Sequence, residues 1–139
     1  MGYLDQYHER SWIFSKLAKG VGCALLAAIA AYSLYWLFFR NWREERQVGE
    51  FLSLLETASY EQAYEAWGCT EAAPCRFYPY DDFLEDWGPE SEIGEVRGFE
   101  LGRSYTQEGG VIIEVEINGK KAPNLWVDKG AAAIGFFPY

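Results

Sequence analysis

A run of nineteen residues, 21–39, contains no charged side chain. At about 1.5 Å rise per helical residue, the run reaches roughly 28 Å, which is close to the hydrocarbon thickness of a bilayer. Lysines precede the run and arginines follow it, as is typical of a membrane span. The sequence therefore predicts a single transmembrane helix over residues 17–42, behind an interfacial tail over residues 1–16.

A cleaved signal peptide is the main alternative, because Ala28-Ile29-Ala30 resembles a small-residue cleavage site. Apolar residues continue beyond this site to Phe39, whereas a signal peptide turns polar after its cleavage site. Myristoylation at Gly2 would require serine or threonine where Gln6 stands. An uncleaved anchor is the preferred interpretation.

The remaining residues are strongly acidic. Residues 47–139 hold six Lys/Arg against seventeen Asp/Glu, a net charge of −11. This charge argues against nucleic acid as a partner and against docking on anionic lipid. The length is that of one small extramembrane domain, predicted over residues 43–139.

Cys69 and Cys75 enclose a short polar loop, and the single histidine of the chain, His8, lies far from them in the sequence. A disulfide is the preferred interpretation, and two unpaired thiols are the alternative. Disulfides persist in oxidising compartments, and the basic residues on the two sides of the span balance. We therefore expect a bacterial inner-membrane protein with a cytoplasmic N-terminus and a periplasmic domain.

Small residues recur along one side of the predicted span. Small-xxx-small patterns favour close packing of helices in a bilayer, so this strip predicts contact with integral-membrane protein subunits, with lipid around the rest. The strip consists of Gly20, Ala24, Ala27, Ala28 and Ala31.

Aromatic residues cluster at the end of the span and predict aromatic membrane contacts. An interfacial belt explains most of them, while contact with a partner helix, a quinone or a pigment is the alternative. No cofactor is predicted otherwise. The residues are Tyr32, Tyr35, Trp36, Phe39 and Trp42.

Three helices are predicted after the span. The first shows amphipathic spacing, the second begins at a capping box of Ser59 and Gln62, and the third follows Pro79. Their expected buried faces are Val48, Phe51, Leu52, Leu55 and Ala58, then Tyr60, Ala63, Tyr64 and Trp67, then Phe83, Leu84 and Trp87.

Strand signals dominate from Ile93 onward. Apolar and acidic residues alternate over residues 111–117, and Asn118-Gly119 is a tight-hairpin signal. Further strands are predicted over residues 125–128 and 132–137. The predicted fold class is α+β, with about three helices packed on one face of a four-stranded antiparallel sheet.

This order of elements resembles the nuclear transport factor two-like (cystatin-like) superfamily over about residues 45–137. The resemblance implies a curved sheet around a cone, as in small bacterial domains of unknown function behind an anchor. More loosely, the chain resembles the anchored domains of cytochrome oxidase assembly factors. The segments that carry the superfamily resemblance are Phe51-Leu52-Ser53-Leu54-Leu55-Glu56, Tyr60-Glu61-Gln62-Ala63-Tyr64 and Tyr80-Asp81-Asp82-Phe83-Leu84.

Recognisable catalytic chemistry is missing from the sequence. Catalytic members of the resembled superfamily place Asp, His or Tyr in the cone, and residues 43–139 contain no histidine. The acidic run between Asp81 and Glu95 does not match a calcium loop, and no phosphate loop, serine elbow or Cys–His pair occurs. We expect a protein that is not an enzyme, unless a buried Glu114 or Asp128 faces a pocket.

Aromatic residues beyond those needed for the core predict contact with a partner protein. The core is expected to contain Trp67, Phe83, Trp87, Phe99, Trp126 and Phe136. The predicted partner contacts are Phe77, Tyr78, Tyr80, Phe137 and Tyr139.

Two functions remain open. The first is a non-enzymatic accessory, assembly or stabilising subunit of a larger membrane complex of respiratory or photosynthetic type. The second is a free-standing anchored binding module, whose cone holds a small apolar ligand or a peptide. The second requires an open pocket lined by Tyr64, Trp67, Phe99 and Trp126.

Overall fold

The computed structural model describes residues 3–137, with side chains from residue 11 onward. The chain forms two compact units, one ending at Arg40 and the other beginning at Asn41. The fold class is α+β. The elements are α1 (Tyr3–Phe39), α2 (Trp42–Glu56), α3 (Tyr60–Ala66), α4 (Tyr80–Trp87), β1 (Phe99–Gln107), β2 (Gly110–Ile117), β3 (Lys120–Lys121), β4 (Leu125–Asp128) and β5 (Ile134–Phe136).

Helix α1 is long and apolar enough to cross a membrane, by length and composition. It continues without a break through most of the predicted tail, from Tyr3 onward. Residues 11–40 are exposed except for Gly22, which is half-buried. A turn at residues 40–41 separates α1 from α2.

The predicted apolar face of α2 is confirmed at four positions, since Val48, Phe51, Leu52 and Leu55 are buried. The prediction for Ala58 is wrong, because this residue is exposed and has φ 55°. The Ser59 N–H donates to the Leu54 carbonyl and the Ala58 N–H to the Leu55 carbonyl. This is the hydrogen-bond pattern of a Schellman motif, which ends the helix with a residue in the left-handed region.

Ser59 precedes α3, but the predicted capping box does not form. Its side chain makes no cap hydrogen bond, and its hydroxyl oxygen lies 3.2 Å from Thr57 Oγ1. The predicted buried faces of the two short helices are largely confirmed. Ala63 and Tyr64 of α3 and Phe83 and Trp87 of α4 are buried, while Leu84 is half-buried.

The sheet is antiparallel and has five strands, in the order β1-β2-β4-β5 with β3 also on β2. The predicted count of four is therefore wrong. Lys121 lies opposite Glu116 and Leu125 opposite Ile113, so β3 and β4 follow the same side of β2 with one extra residue between them. Pro123 lies in this interruption, where it has no backbone N–H to give to the ladder.

Strand β2 has the predicted alternation, with Val111, Ile113, Val115 and Ile117 buried. Helix α2 packs across β1, β2 and β4, and the buried side chains of β2 join its apolar face in one core. The hairpin at Asn118-Gly119 is confirmed. Both residues have positive φ, 53° and 74°, as a type I′ turn requires.

Trp67 lies at the centre of an aromatic cluster. Its ring centroid lies 5.3 Å from that of Phe51 and 5.2 Å from that of Phe136, and it also contacts Phe83, Trp87 and Tyr78. The prediction that Phe136 is a core residue is only partly right. Strand β5 lies at the sheet edge, so the residue remains 38% exposed.

A polar network joins the start of α2 to β1. The Asn41 amide donates to Ser104 Oγ at 3.1 Å and accepts from Thr106 Oγ1 at 2.9 Å. Ser104 in turn donates to a Glu45 carboxylate oxygen at 2.5 Å. These hydrogen bonds satisfy Asn41, which is only 9% exposed, and they fix the first turn of α2 against the sheet.

Gly110 occupies a position without room for a side chain. A Cβ atom there would overlap the Val127 carbonyl oxygen and come 2.5 Å from Trp126 Cζ2. We expect Gly110→Ala to lower the free energy of unfolding by about 1–3 kcal/mol, or roughly 4–8 °C in Tm per kcal/mol for a domain of this size. The measurement is thermal unfolding followed by circular dichroism.

The matched control is Gly135→Ala on β5, because no atom lies within 4 Å of its Cβ position. The control should retain the wild-type Tm to within a few degrees. Equal Tm values for both variants would contradict the close packing at Gly110.

Candidate functional site

The predicted strip of small residues lies on one side of α1. Because a helix turns about 100° per residue, Gly20, Ala24, Ala27, Ala28 and Ala31 fall within an arc of about 100°. No described atom beyond the local helix approaches within 4 Å of a Cβ built on Gly20. The strip is therefore a smooth, uncovered surface.

The aromatic stripe of α1 lies on an adjoining arc and forms contacts within itself. The Trp36 indole N–H donates to the Tyr32 hydroxyl at 3.1 Å, and the Tyr35 and Phe39 rings stack at 5.3 Å. The indole N–H is thus satisfied within the helix, so this side can face an apolar environment at lower cost. Trp42 belongs to α2 instead, where the Arg46 guanidinium lies 5.7 Å from its ring.

The structure joins Cys69 and Cys75 by a disulfide, with their Cα atoms 5.3 Å apart. Tyr64, buried on α3, ties this loop to the core. Its hydroxyl donates to the Tyr78 carbonyl at 2.6 Å and accepts from the Cys75 N–H at 3.2 Å. The loop is therefore held by a covalent bond and by a buried phenol.

Phe77 lies in the turn that follows the disulfide. The Tyr78 N–H donates to the Cys75 carbonyl at 3.3 Å and closes the turn. The Phe77 side chain is 86% exposed, and the Arg76 guanidinium lies 5.2 Å from its ring centroid. A well-supported turn thus presents a large aromatic ring beside a cation.

The other predicted partner contacts are less exposed. Tyr78 packs on Trp67, Tyr80 packs on Tyr64 and Phe83, and Phe137 packs on Trp126. Tyr139 lies outside the described residues. Among the four that the structure describes, Phe77 alone presents most of its side chain to solvent.

The Tyr78 hydroxyl donates to Asp86 Oδ2 at 2.7 Å. Burial raises the pKa of the Tyr78 phenol well above its usual value, and the hydrogen bond to Asp86 and the negative charge of that carboxylate raise it further. The nearby Trp87 indole N–H has a smaller and opposite effect, because it lowers the pKa of this phenol. The indole N–H does not reach hydrogen-bond geometry, and it has no partner within residues 3–137. Tyr78 is therefore a neutral donor held between a carboxylate and the core.

A cleft of about 500 Å³ lies beside Trp87, between the end of α4 and the hairpin that joins β2 to β3. Its apolar surface comes from Trp87, Ile93, Ile117, Ala122, Pro123 and Phe136. Glu85 and Asp86 line it from α4, Glu92 from the segment after α4, and Lys120 and Lys121 from the start of β3. The sequence did not predict this cleft, although an adjacent lysine pair in so acidic a domain was a signal.

The residues proposed for a cone-shaped pocket do not surround this cleft. Tyr64 and Trp67 are buried inside the aromatic cluster. Asp128 Oδ1 accepts hydrogen bonds from the backbone N–H groups of Gly130 and Ala131, so it stabilises a turn. Within the described chain, no group of three or more His, Cys, Asp or Glu side chains is placed to hold a metal ion.

The raised pKa of Tyr78 predicts a loss of stability at alkaline pH. Above about pH 10 the tyrosines of the unfolded chain lose their protons, while folded Tyr78 keeps its proton. Its contribution to stability is complete below this pH and falls as pH rises. We expect the unfolding free energy of Tyr78→Phe to decline less between pH 9 and pH 11 than that of the wild type, measured by chemical denaturation.

The control is the same comparison between about pH 6 and pH 8, where tyrosines keep their protons in the unfolded chain as well. The two proteins should change in parallel over that range. A Tyr78→Phe variant whose stability declines as steeply as that of the wild type would contradict the raised pKa of Tyr78.

Comparison with known proteins finds no counterpart for the chain. No family model matches its sequence, no curated protein matches it, and no solved structure matches its fold. The resemblance to the nuclear transport factor two-like superfamily therefore stays a prediction, and function has to be argued from the geometry.

Proposed function

We propose that the protein is a non-enzymatic, single-pass membrane protein that serves as an accessory or stabilising subunit of a larger membrane complex of respiratory or photosynthetic type. The observation that carries this proposal is the exposed apolar surface of α1. Its large side chains are more than half exposed, as in Leu26 at 69% and Leu37 at 78%. A surface of this extent needs an apolar environment to cover it.

Lipid covers most of that surface in the proposal, and a partner helix covers the strip of small residues. Lipid tails are as apolar as leucine, so helices associate in a bilayer through close packing rather than through the hydrophobic effect. The strip around Ala24 permits such an approach because no side chain larger than methyl projects from it. The aromatic stripe beside it suits the interface, with quinone or pigment contact as the alternative.

The disulfide supports an extracytoplasmic position for the domain, because an oxidising compartment such as the bacterial periplasm preserves it. The N-terminus then lies in the cytoplasm. The net charge of −11 over residues 47–139 repels an anionic membrane surface. In the proposal, Arg76 and Phe77 of the domain also contact the partner.

A pair of matched variants tests the proposal. Ala24→Leu places a bulky side chain in the strip, whereas Ala30→Leu places the same side chain about 120° away around the helix. We expect the wild type to co-purify with a larger complex in mild detergent, and Ala24→Leu to weaken the association roughly tenfold, which corresponds to a loss of about 1.4 kcal/mol, and so to lower the bound fraction. Ala30→Leu should co-purify like the wild type.

The bound fraction is read by native electrophoresis and mass spectrometry of the partner bands. Recovery of the wild type only as a free monomer would contradict the proposal. Equal losses in the two variants would show that the small-residue strip is not the contact.

A further inference from the structure

The cleft beside Trp87 combines apolar side chains with charged side chains of both signs. Its accessible apolar surface comes from Ile93, Pro123 and Phe136, while Trp87 and Ile117, at 1% and 2% exposure, belong to the buried core beside it. The volume of about 500 Å³ lies within the range of small-ligand sites. A sphere of this volume is about 10 Å across, so the cleft suits a ligand of two or three residues' length.

Lys120 is one of the two lysines that line this cleft. Strand register places it opposite Ile117, whereas its neighbour Lys121 lies opposite Glu116. Residues directly opposite in an antiparallel pair share a face of the sheet. Within residues 11–137 the ion pair that forms is Arg46–Glu50, so Lys120 has no carboxylate partner.

Two free carboxylates also line the cleft. Asp86 accepts the Tyr78 hydroxyl at 2.7 Å, which leaves less of its hydrogen-bonding capacity for a ligand. Glu85 and Glu92 are exposed, and no described cation pairs with either of them. The cleft therefore offers unpaired charges of both signs to a ligand.

The edge of the cleft is held in place before any ligand binds. The Asn118 amide donates to the Glu95 carbonyl at 2.8 Å and accepts from the Arg97 N–H at 2.8 Å. These bonds tie the hairpin that carries Lys120 to the segment following Glu92. A site ordered in advance loses less entropy on binding.

We infer that this cleft binds a short zwitterionic peptide with an apolar side chain. The ligand carboxylate pairs with Lys120, its ammonium group pairs with Glu85 and Glu92, and its side chain lies against Pro123 and Phe136. The charged ends of an extended dipeptide lie about 7 Å apart, which fits within the cleft. The inference is independent of the membrane partner of α1.

The arrangement discriminates against other ligand classes. The carboxylates of Glu85 and Glu92 would repel a polyanion, and Lys120 would repel a polycation. A purely apolar molecule would desolvate these charges without pairing them. A zwitterion pairs with the cationic and the anionic side chains of the cleft at once.

The test uses the full chain in lipid nanodiscs and four forms of one dipeptide, Leu-Phe. The free dipeptide is a zwitterion, its N-acetyl form an anion, its amide a cation, and the doubly blocked form neutral. Isothermal titration calorimetry measures each Kd, with empty nanodiscs subtracted. We expect saturable binding of the zwitterion and a roughly tenfold weaker Kd when either end is blocked.

Three variants test which side chains of the cleft pair with the two charged ends of the dipeptide. Lys120→Gln should abolish the preference for a free carboxylate and leave the preference for a free ammonium group. Glu92→Gln should weaken the ammonium preference. Lys129→Gln, the matched control, changes an exposed lysine that does not line the cleft and should bind like the wild type. Each variant is first shown to have the wild-type Tm.

The inference is overturned if the wild type shows no saturable binding of Leu-Phe, or if all four forms bind equally. Equal binding of the zwitterion and the N-acetyl form would indicate recognition of a protein C-terminus instead. Unchanged binding by Lys120→Gln would also overturn it.

Discussion

The packing of Trp67 is the contact on which the domain depends. Its ring touches Phe51 of α2, Trp87 of α4, Tyr78 of the turn after the disulfide and Phe136 of β5, so it connects elements far apart in the sequence. A domain of about 100 residues buries a limited fraction of its surface, and large aromatic rings give it much apolar area per residue. The loop closed by Cys69 and Cys75 and the cleft beside Trp87 both adjoin this cluster.

Local patterns predicted much of this fold. The alternation along β2 and the Asn118-Gly119 turn reflect backbone geometry, which a short segment specifies by itself. The break between β3 and β4 was missed because it depends on how Pro123 meets the neighbouring strand. The Ser59 cap failed because the Schellman motif at Ala58 fixes the chain first, with the Ser59 hydroxyl beside Thr57.

The candidate sites also differ in how far the sequence predicts them. The surfaces of α1 follow from helical periodicity, so the strip around Ala24 was visible in the sequence. The cleft joins residues of α4 to a hairpin some thirty positions later, and no local pattern brings Glu92 near Lys120. The exposure of Phe77 also needed the structure, since four similar aromatics nearby in sequence or at the terminus were equally plausible contacts.

In the proposed function the domain folds by itself and α1 makes the main partner contact, so exchanging the helix separates the two. Residues 21–39 would be replaced by an uncharged Leu/Ala span of equal length without the small-residue strip, with the flanking residues kept. The measurement combines the Tm of the domain with native electrophoresis in mild detergent. We expect the helix-exchanged protein to keep the wild-type Tm of its domain and to lose the larger complex. Retention of the complex, or a large fall in Tm, would contradict the proposed function.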